Sequence, residues 1–279
     1  MNFKTILVHL DHTDRCRARV ALATRIAKAQ GGHLVGLLPN GLLDGTIPAN
    51  ALPTGMTDFI AESAHYLRQR ADGISEGFRA VVNAADAHSH EVREVEGTTI
   101  DELIAHGRSS DLIVLGQEDS ATDSDVPARG LVPQVMLHAG RPVLVVPYAG
   151  DFRDVGQNVL LAWDGSRAAA VAMREALPLL AGARRVTLAS FRGTGADARE
   201  ALLIPEMLRW LERHGVQPRA EQDVVEIDTS DALLSRVSDL GADLIVMGGY
   251  GHSRLREMVL GGVTREVLSH MTVPVLMAH

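Results

Sequence analysis

The sequence predicts an α/β fold made of two tandem repeats, each an open five-stranded parallel sheet with helices on both faces. Apolar segments recur at a constant offset. DLIVLG at residues 111–116 returns as DLIVMG at 243–248, and RPVLVVP at 141–147 is matched by VPVLMAH at 273–279, each 132 residues later. Within each repeat, strand-like and helix-like patterns alternate, as expected for parallel strands joined by right-handed crossovers.

A third match marks the start of the second repeat. ILVHLD at residues 6–11 resembles VLLAWD at 159–164, which lies 153 residues later, so the second repeat is shorter in its middle. The joint falls near YAGDFRDVGQN, whose Gly, Asp and Asn residues are typical of a connector. We therefore predict two domains, residues 1–150 and 151–279.

The elements of the first repeat follow from hydrophobic periodicity. TILVHL is a continuous apolar run typical of a strand buried on both faces, and CRARVALATRIAKAQ after it has helical spacing and ends at a glycine. HLVGLLP is predicted as a strand and TDFIAESAHYLRQRADGISEGFRAVVNAAD as a long amphipathic helix that contains glycines. The remainder reads as strand EVREVEG, helix TIDELIAHGR, strand DLIVLG, helix LVPQVMLHAG despite Pro133, and strand PVLVVP. The second repeat has the same order.

The composition of the chain argues against some classes of function. The chain has 279 residues, 46% of them hydrophobic and 22% charged, which is typical of a soluble globular protein. The net charge of −8 argues against a general nucleic-acid binder, and no apolar stretch approaches the ~20 residues of a membrane helix. Cys16 is the single cysteine, so no internal disulfide forms. We predict a cytoplasmic protein without nucleic-acid or membrane partners.

The predicted topology places a ligand crevice at the carboxyl ends of the strands, where the strand order reverses. In the second repeat, Asp164 ends the first strand and Gly248 ends the fourth. We expect both residues to face one crevice.

The segment MGGYGHSRLREMVLGGVTREVL then supplies glycines at a distinctive spacing. Gly248, Gly251 and Gly261 follow the pattern G-x-x-G-x9-G, and Gly262 opens a predicted helix. Backbone N–H groups at a helix start, without side chains in the way, form an anion site. A carboxylate at Asp164 can accept hydrogen bonds from ribose hydroxyls. The alternative is that these glycines only permit turns and close strand-to-helix packing.

The segment from Val246 to Met277 resembles the C-terminal signature of the universal stress protein family. ATP-binding members hold phosphates and ribose with this glycine pattern, and an Asp after the first strand is the family's other nucleotide contact. The resemblance covers both repeats and implies a Rossmann-like fold, related to that of the adenine nucleotide alpha hydrolases. It implies ATP, with Mg²⁺, bound in the second repeat by Ala162, Trp163, Asp164, Met247, Gly248, Gly251, His252, Ser253, Gly261, Gly262, Val263 and Thr264.

The sequence departs from the family pattern in two places. Gly262 stands where the signature ends in Ser or Thr, so a hydroxyl contact to phosphate is lost, worth roughly 1.5–3 kcal/mol. In the first repeat, Asp119 and Arg129 replace the glycines equivalent to Gly251 and Gly261, within the acidic loop GQEDSATDSDVPARG. We therefore predict that the first repeat has lost the site and that one nucleotide binds per chain.

No catalytic constellation or metal motif stands out. His9, Asp11, His12 and Cys16 cluster near the end of the first strand, but their spacing matches no zinc pattern, and His9 is expected to point away from the surroundings of Asp11. We predict no metal site and no catalytic residues, with ATP hydrolysis slow or absent.

Three functional hypotheses follow. The leading one is an ATP-binding stress-response sensor or regulator in which the first repeat is a structural partner. The second is an interaction protein that binds no nucleotide and works through dimer and partner surfaces. The third is an enzyme with a small ligand in the first repeat. Because family members dimerise through the last strand, and tandem members often pair their halves in the same way, the resemblance also implies an intrachain pseudo-dimer within a homodimer, together with a protein partner of unknown identity.

Overall fold

The computed structural model describes residues 2–40, 56–87, 89–118, 130–153, 155–192, 203–224, 228–250 and 262–279. These residues divide into two compact units. The first comprises Phe3–Ala139 and the second Gly140–His279.

The first unit alternates strands and helices along the chain. Its strands are β1 (Thr5–His9), β2 (His33–Pro39), β3 (His90–Val95) and β4 (Leu112–Gly116), and its helices are α1 (Cys16–Gln30), α2 (Met56–Ala84), α3 (Thr99–Gly107) and α4 (Leu131–His138). The strands lie in the order β3-β2-β1-β4 and are parallel, with Ile6 of β1 opposite Leu34 on one side and Leu112 on the other.

Local sequence signals account for the ends of these helices. α1 ends where Gly31 adopts the left-handed conformation, with φ of 60°. α3 begins at Thr98, whose side-chain oxygen accepts a hydrogen bond from the backbone N–H of Asp101. Pro133 is the third residue of α4, within the first turn, where its missing N–H leaves no helical hydrogen bond unmade. The helix predicted there despite Pro133 is confirmed.

The second unit repeats the alternation. Its strands are β5 (Val143–Val146), β6 (Asn158–Ala162), β7 (Arg185–Arg192), β8 (Pro218–Val224), β9 (Leu244–Gly248) and β10 (Val275–Ala278), and its described helices are α5 (Arg167–Leu180), α6 (Ile204–Arg213), α7 (Thr229–Leu240) and α8 (Gly262–His270). The strand order is β5-β10-β9-β6-β7-β8. All pairs are parallel except β5 with β10, which are antiparallel.

The central strands form the core of each unit. Leu112, Ile113 and Val114 of β4 and Leu244 and Ile245 of β9 have no exposed surface. Strands buried on both faces explain the continuous apolar runs of the sequence. The predicted α/β class is confirmed. β5 ends the first repeat in sequence but lies in the second compact unit. There it pairs with the edge of β10 that β9 leaves open.

Among the described helices, none is both long enough and apolar enough to cross a lipid bilayer.

Candidate functional site

In the second unit the strand order reverses between β6 and β9. β6 pairs with β7 on one side and with β9 on the other. After β6 the chain runs through α5 to β7 and then to β8, which lies at one edge of the sheet. It then returns past β6 and forms β9 on the other side of β6. Ligand crevices of open α/β sheets form beyond the carboxyl ends of the strands at such a point. Asp164 and Gly248 lie at these two strand ends.

Asp164 organises the start of α5. Its Oδ1 accepts a hydrogen bond of 2.9 Å from the backbone N–H of Ser166, and the Ser166 hydroxyl accepts one of 3.1 Å from the N–H of Ala169. Gly165 between them has a φ of 76°, in the left-handed region. The turn holds the Asp164 carboxylate at an exposed position beside the helix start.

Gly248 is required by close packing. A Cβ at this position would lie 2.5 Å from the backbone nitrogen of Ala169 and 2.7 Å from the carbonyl carbon of Ala168. The first turn of α5 therefore lies directly against the end of β9. For Gly248 the close strand-to-helix packing considered as the alternative is present, and it brings a helix start to the edge of the crevice.

The start of α8 is the second helix terminus at this edge. The first N–H groups of a helix have no acceptor within the helix, and in α8 these belong to Gly262, Val263 and Thr264. Gly262 is exposed, and a Cβ there would have no atom within 4 Å. Thr264 is buried, and its hydroxyl lies 3.5 Å from the N–H of Tyr250, which donates to it.

The remaining predicted site residues have different environments. Met247 and Trp163 are buried and Ala162 is half-buried. The indole Nε1 of Trp163 has no hydrogen-bond partner among the described residues. Four predicted site residues lie outside the described residues: Gly251, His252, Ser253 and Gly261.

In the first unit, the corresponding strand end carries a buried ion pair. Oδ1 of Asp11 accepts hydrogen bonds from the N–H of Thr13 at 3.1 Å and from its hydroxyl at 2.6 Å, while Oδ2 lies 2.8 Å from Nη2 of Arg19. Arg19 is 2% exposed and donates from Nε to the carbonyl oxygen of His9 at 2.9 Å. Burial by itself raises the pKa of Asp11, but the charge of Arg19, helped by His9 and Thr13, outweighs burial and lowers the pKa to about 2.

The helix start that follows β4 holds a carboxylate. Glu118 accepts hydrogen bonds from the backbone N–H groups of Gly130 at 3.1 Å and Val132 at 3.3 Å, at the beginning of α4. A carboxylate at a helix N-terminus satisfies orphan donors and complements the helix dipole. The start of α4 therefore binds an anionic group from its own chain.

Residues 156–279 match the model of the universal stress protein family. A universal stress protein of Synechocystis sp. is 24% identical over 292 aligned residues, covering 98% of this chain and 99% of that protein. Residues 156–279 therefore form a universal stress protein domain. Among solved structures, a universal stress protein from Archaeoglobus fulgidus has a TM-score of 0.74 at 16% identity, with 98% of this chain and 97% of that chain covered. The family fold therefore extends beyond the matched segment to the first repeat.

The two sequence offsets identify equivalent positions in the two repeats. The offset of 132 residues pairs Gly116 with Gly248, Gly130 with Gly262, Glu118 with Tyr250 and Val132 with Thr264, and the offset of 153 residues pairs Asp11 with Asp164 and Arg19 with Ala172. The first repeat thus has an arginine and a glutamate where the second has an alanine and a tyrosine. Neither Arg19 nor Glu118 is among the site residues predicted from the sequence, where Glu118 stands only as part of the acidic loop after β4.

A signal for Arg19 exists in the sequence. Helical spacing puts it on the same stripe as Ala23 and Ile26, which are buried against the sheet. A charged residue on a buried stripe needs a buried partner of opposite charge, and Asp11 is the nearest acid at the strand end. No comparable pattern marks Glu118, because its contact depends on the path of the chain after β4.

The cluster considered for zinc is organised differently from a metal site. His9 and Asp11 are two residues apart and point to the same face, with 3.8 Å between His9 Nδ1 and Asp11 Oδ2, so the expectation that His9 points away is wrong. Burial lowers the pKa of His9 to about 4, although Asp11 opposes this, and burial raises the pKa of the Cys16 thiol. Among the described residues no three potential metal ligands come together.

Proposed function

We propose that this universal stress protein binds one adenine nucleotide, as Mg-ATP, in its second unit and acts as a nucleotide-dependent stress-response sensor. The phosphates would contact the backbone at the start of α8, including Gly262. The ribose would contact the exposed carboxylate of Asp164. Binding favours one conformation or partner surface, which is how a ligand without fast turnover transmits a signal.

The observation that carries this proposal is the occupied helix start of the first unit. There, Gly130 and Val132 donate to the carboxylate of Glu118, so this backbone position already holds an anion in one repeat. The equivalent helix start in the second unit begins at Gly262, and Tyr250 stands in place of the glutamate. A second unit with the same backbone donors and no acidic side chain at that position is suited to an external anion.

The magnesium ion fits as part of the nucleotide rather than as a protein-bound centre. The described residues contain no group of three potential metal ligands, and Asp164 is the exposed carboxylate at this strand end. Mg²⁺ is commonly held by substrate phosphates together with one or two carboxylates. When bound, it would neutralise charge on the triphosphate.

We also propose a cytoplasmic location and a homodimer. Within the second unit, β10 has β9 on one side and β5 on the other, so both of its edges are already paired. A second copy of the chain would therefore dock on a surface other than the last strand. An interaction protein without nucleotide is the alternative that failure of the binding test would favour.

The proposal is tested by Asp164→Ala in the full chain. Loss of a hydrogen bond between a carboxylate and the ribose is worth roughly 1.5–3 kcal/mol, so the Kd for Mg-ATP is expected to rise about tenfold or more. Isothermal titration calorimetry gives the Kd and the number of sites.

Asp228→Ala is the matched control. Asp228 accepts a 2.9 Å hydrogen bond from the N–H of Ser230 at the start of α7, the same local turn that Asp164 makes at α5. Because Asp228 also accepts a hydrogen bond from the Ser230 hydroxyl, the control removes at least as much local structure at the start of a different helix, and it should leave the Kd unchanged. Equal affinity in wild type and Asp164→Ala, or absence of binding in the wild type, would overturn the proposal.

A further inference from the structure

The crevice of the first unit is crossed by a side chain. The guanidinium of Arg19 lies 2.8 Å from Oδ2 of Asp11 and donates to the carbonyl oxygen of His9, both at the end of β1. It also lies against the end of β4, because a Cβ on Gly116 would be 2.5 Å from its Nη1. Arg19 therefore spans the point where the strand order of the first unit reverses.

The helix start at the same edge is filled independently. The carboxylate of Glu118 binds the N–H groups of Gly130 and Val132 at the beginning of α4. Glu118 follows β4 by two residues and is half-buried. The Glu118 carboxylate therefore serves as acceptor for the N–H groups of the helix start. The Arg19 guanidinium serves as donor to the carboxylate of Asp11.

These two contacts match the two chemical features of a nucleotide. Ribose hydroxyls donate hydrogen bonds to a strand-end acid, and phosphate oxygens accept them from a helix start. We propose that Arg19 and Glu118 are a built-in substitute for the ligand, which closes the first unit to nucleotide and restricts nucleotide response to the second unit. This inference rests on the proposed function, because it explains why one repeat binds and the other does not.

The second repeat lacks both groups. Ala172 takes the place of Arg19 and is fully buried, so no side chain from this position reaches the strand-end acid, and Asp164 remains exposed. Tyr250 takes the place of Glu118 and supplies no charge. The residues at two positions, 19 and 118 in the first repeat and 172 and 250 in the second, thus determine whether the crevice is filled by its own side chains or accepts a ligand.

The test is the number of nucleotides bound per chain in the wild type and in the double variant Arg19→Ala, Glu118→Ala, measured by equilibrium dialysis with labelled Mg-ATP. Circular dichroism verifies that the variant is folded. One nucleotide in the wild type and two in the variant is the expected result.

The other outcomes separate this inference from the proposed function. One nucleotide in both proteins overturns the inference and leaves the proposed function standing. None in the wild type and one in the variant supports the inference and overturns the assignment of the second unit. None in either protein overturns both.

Two single variants keep the inference testable if the double variant does not fold. Glu118→Ala should raise hydrogen exchange at the start of α4, because the N–H groups of Gly130 and Val132 lose their acceptor; unchanged exchange contradicts the inference. In the second unit, Tyr250→Glu copies the first repeat and should lower ATP affinity at least tenfold, while the uncharged control Tyr250→Gln should not. Equal affinities of these two variants also count against the inference.

Discussion

A single helix position gives the two strand-end acids different environments. Arg19 pairs with Asp11 inside the first unit and leaves that side chain 10% exposed. Ala172 stands at the same position in the second repeat, and Asp164 is exposed. A buried ion pair is a costly arrangement that persists only with good geometry and added hydrogen bonds. The donation from Arg19 to the His9 carbonyl and from Thr13 to Asp11 supplies them.

Beside this ion pair, His9 makes the stability of the first unit depend on pH. Its pKa is about 4 in the folded unit, below its ordinary value of 6.5, so below pH 6.5 the unfolded chain binds more protons. The stability that neutral, buried His9 contributes is fully present above pH 6.5, and it is lost as the pH falls toward 4. The lowered pKa of Asp11, about 2, acts only below pH 4. Between pH 7 and 5 we expect a loss of about 2 kcal/mol from His9.

This pH dependence is measured by urea unfolding of the full chain at pH 7 and 5, followed by hydrogen exchange of peptides from β1 and β4. His9→Gln should flatten the pH dependence, while His138→Gln, an exposed substitution on α4, should keep it. A slope in His9→Gln as steep as in the wild type would show that another group is responsible.

At the scale of elements, the sequence predicts strands and helices well because their signals are local. Apolar runs mark β4 and β9, and glycine and Thr98 mark helix ends. For Gly248, the alternative of close strand-to-helix packing is present, because α5 approaches its backbone. The contacts of Arg19 and Glu118 are not predictable in this way, because each joins residues from separate elements through tertiary packing.

Gly248→Ala tests this close approach. The added Cβ would meet backbone atoms of α5 at 2.5 and 2.7 Å, and backbone cannot rotate away as a flexible side chain can. We expect the second unit to lose about 2–3 kcal/mol of unfolding free energy, toward the upper range for overpacking. Fluorescence in urea reports on this unit alone, because both tryptophans of the chain, Trp163 and Trp210, belong to it.

Gly182→Ala is the control for this measurement. It lies in the same unit, and a Cβ there would have no atom within 4 Å. Its unfolding free energy should stay within about 0.5 kcal/mol of the wild type. Equal stability of the two variants would mean that α5 does not lie against the end of β9.

At the scale of the whole molecule, duplication followed by divergence gives two units with one architecture and different crevices. Both have a strand-end acid, a glycine closing the neighbouring strand and a helix starting with glycine or directly after it. The first unit satisfies these groups with its own side chains, and the second does not place charged side chains at the equivalent positions. We therefore propose a structural role for the first unit and a ligand response for the second.

The most direct test is hydrogen exchange of the full chain with and without saturating Mg-ATP. The account predicts increased protection at the start of α8 and around residues 164–169, with no change at the start of α4. Protection at α4, or no change in either unit, would contradict it.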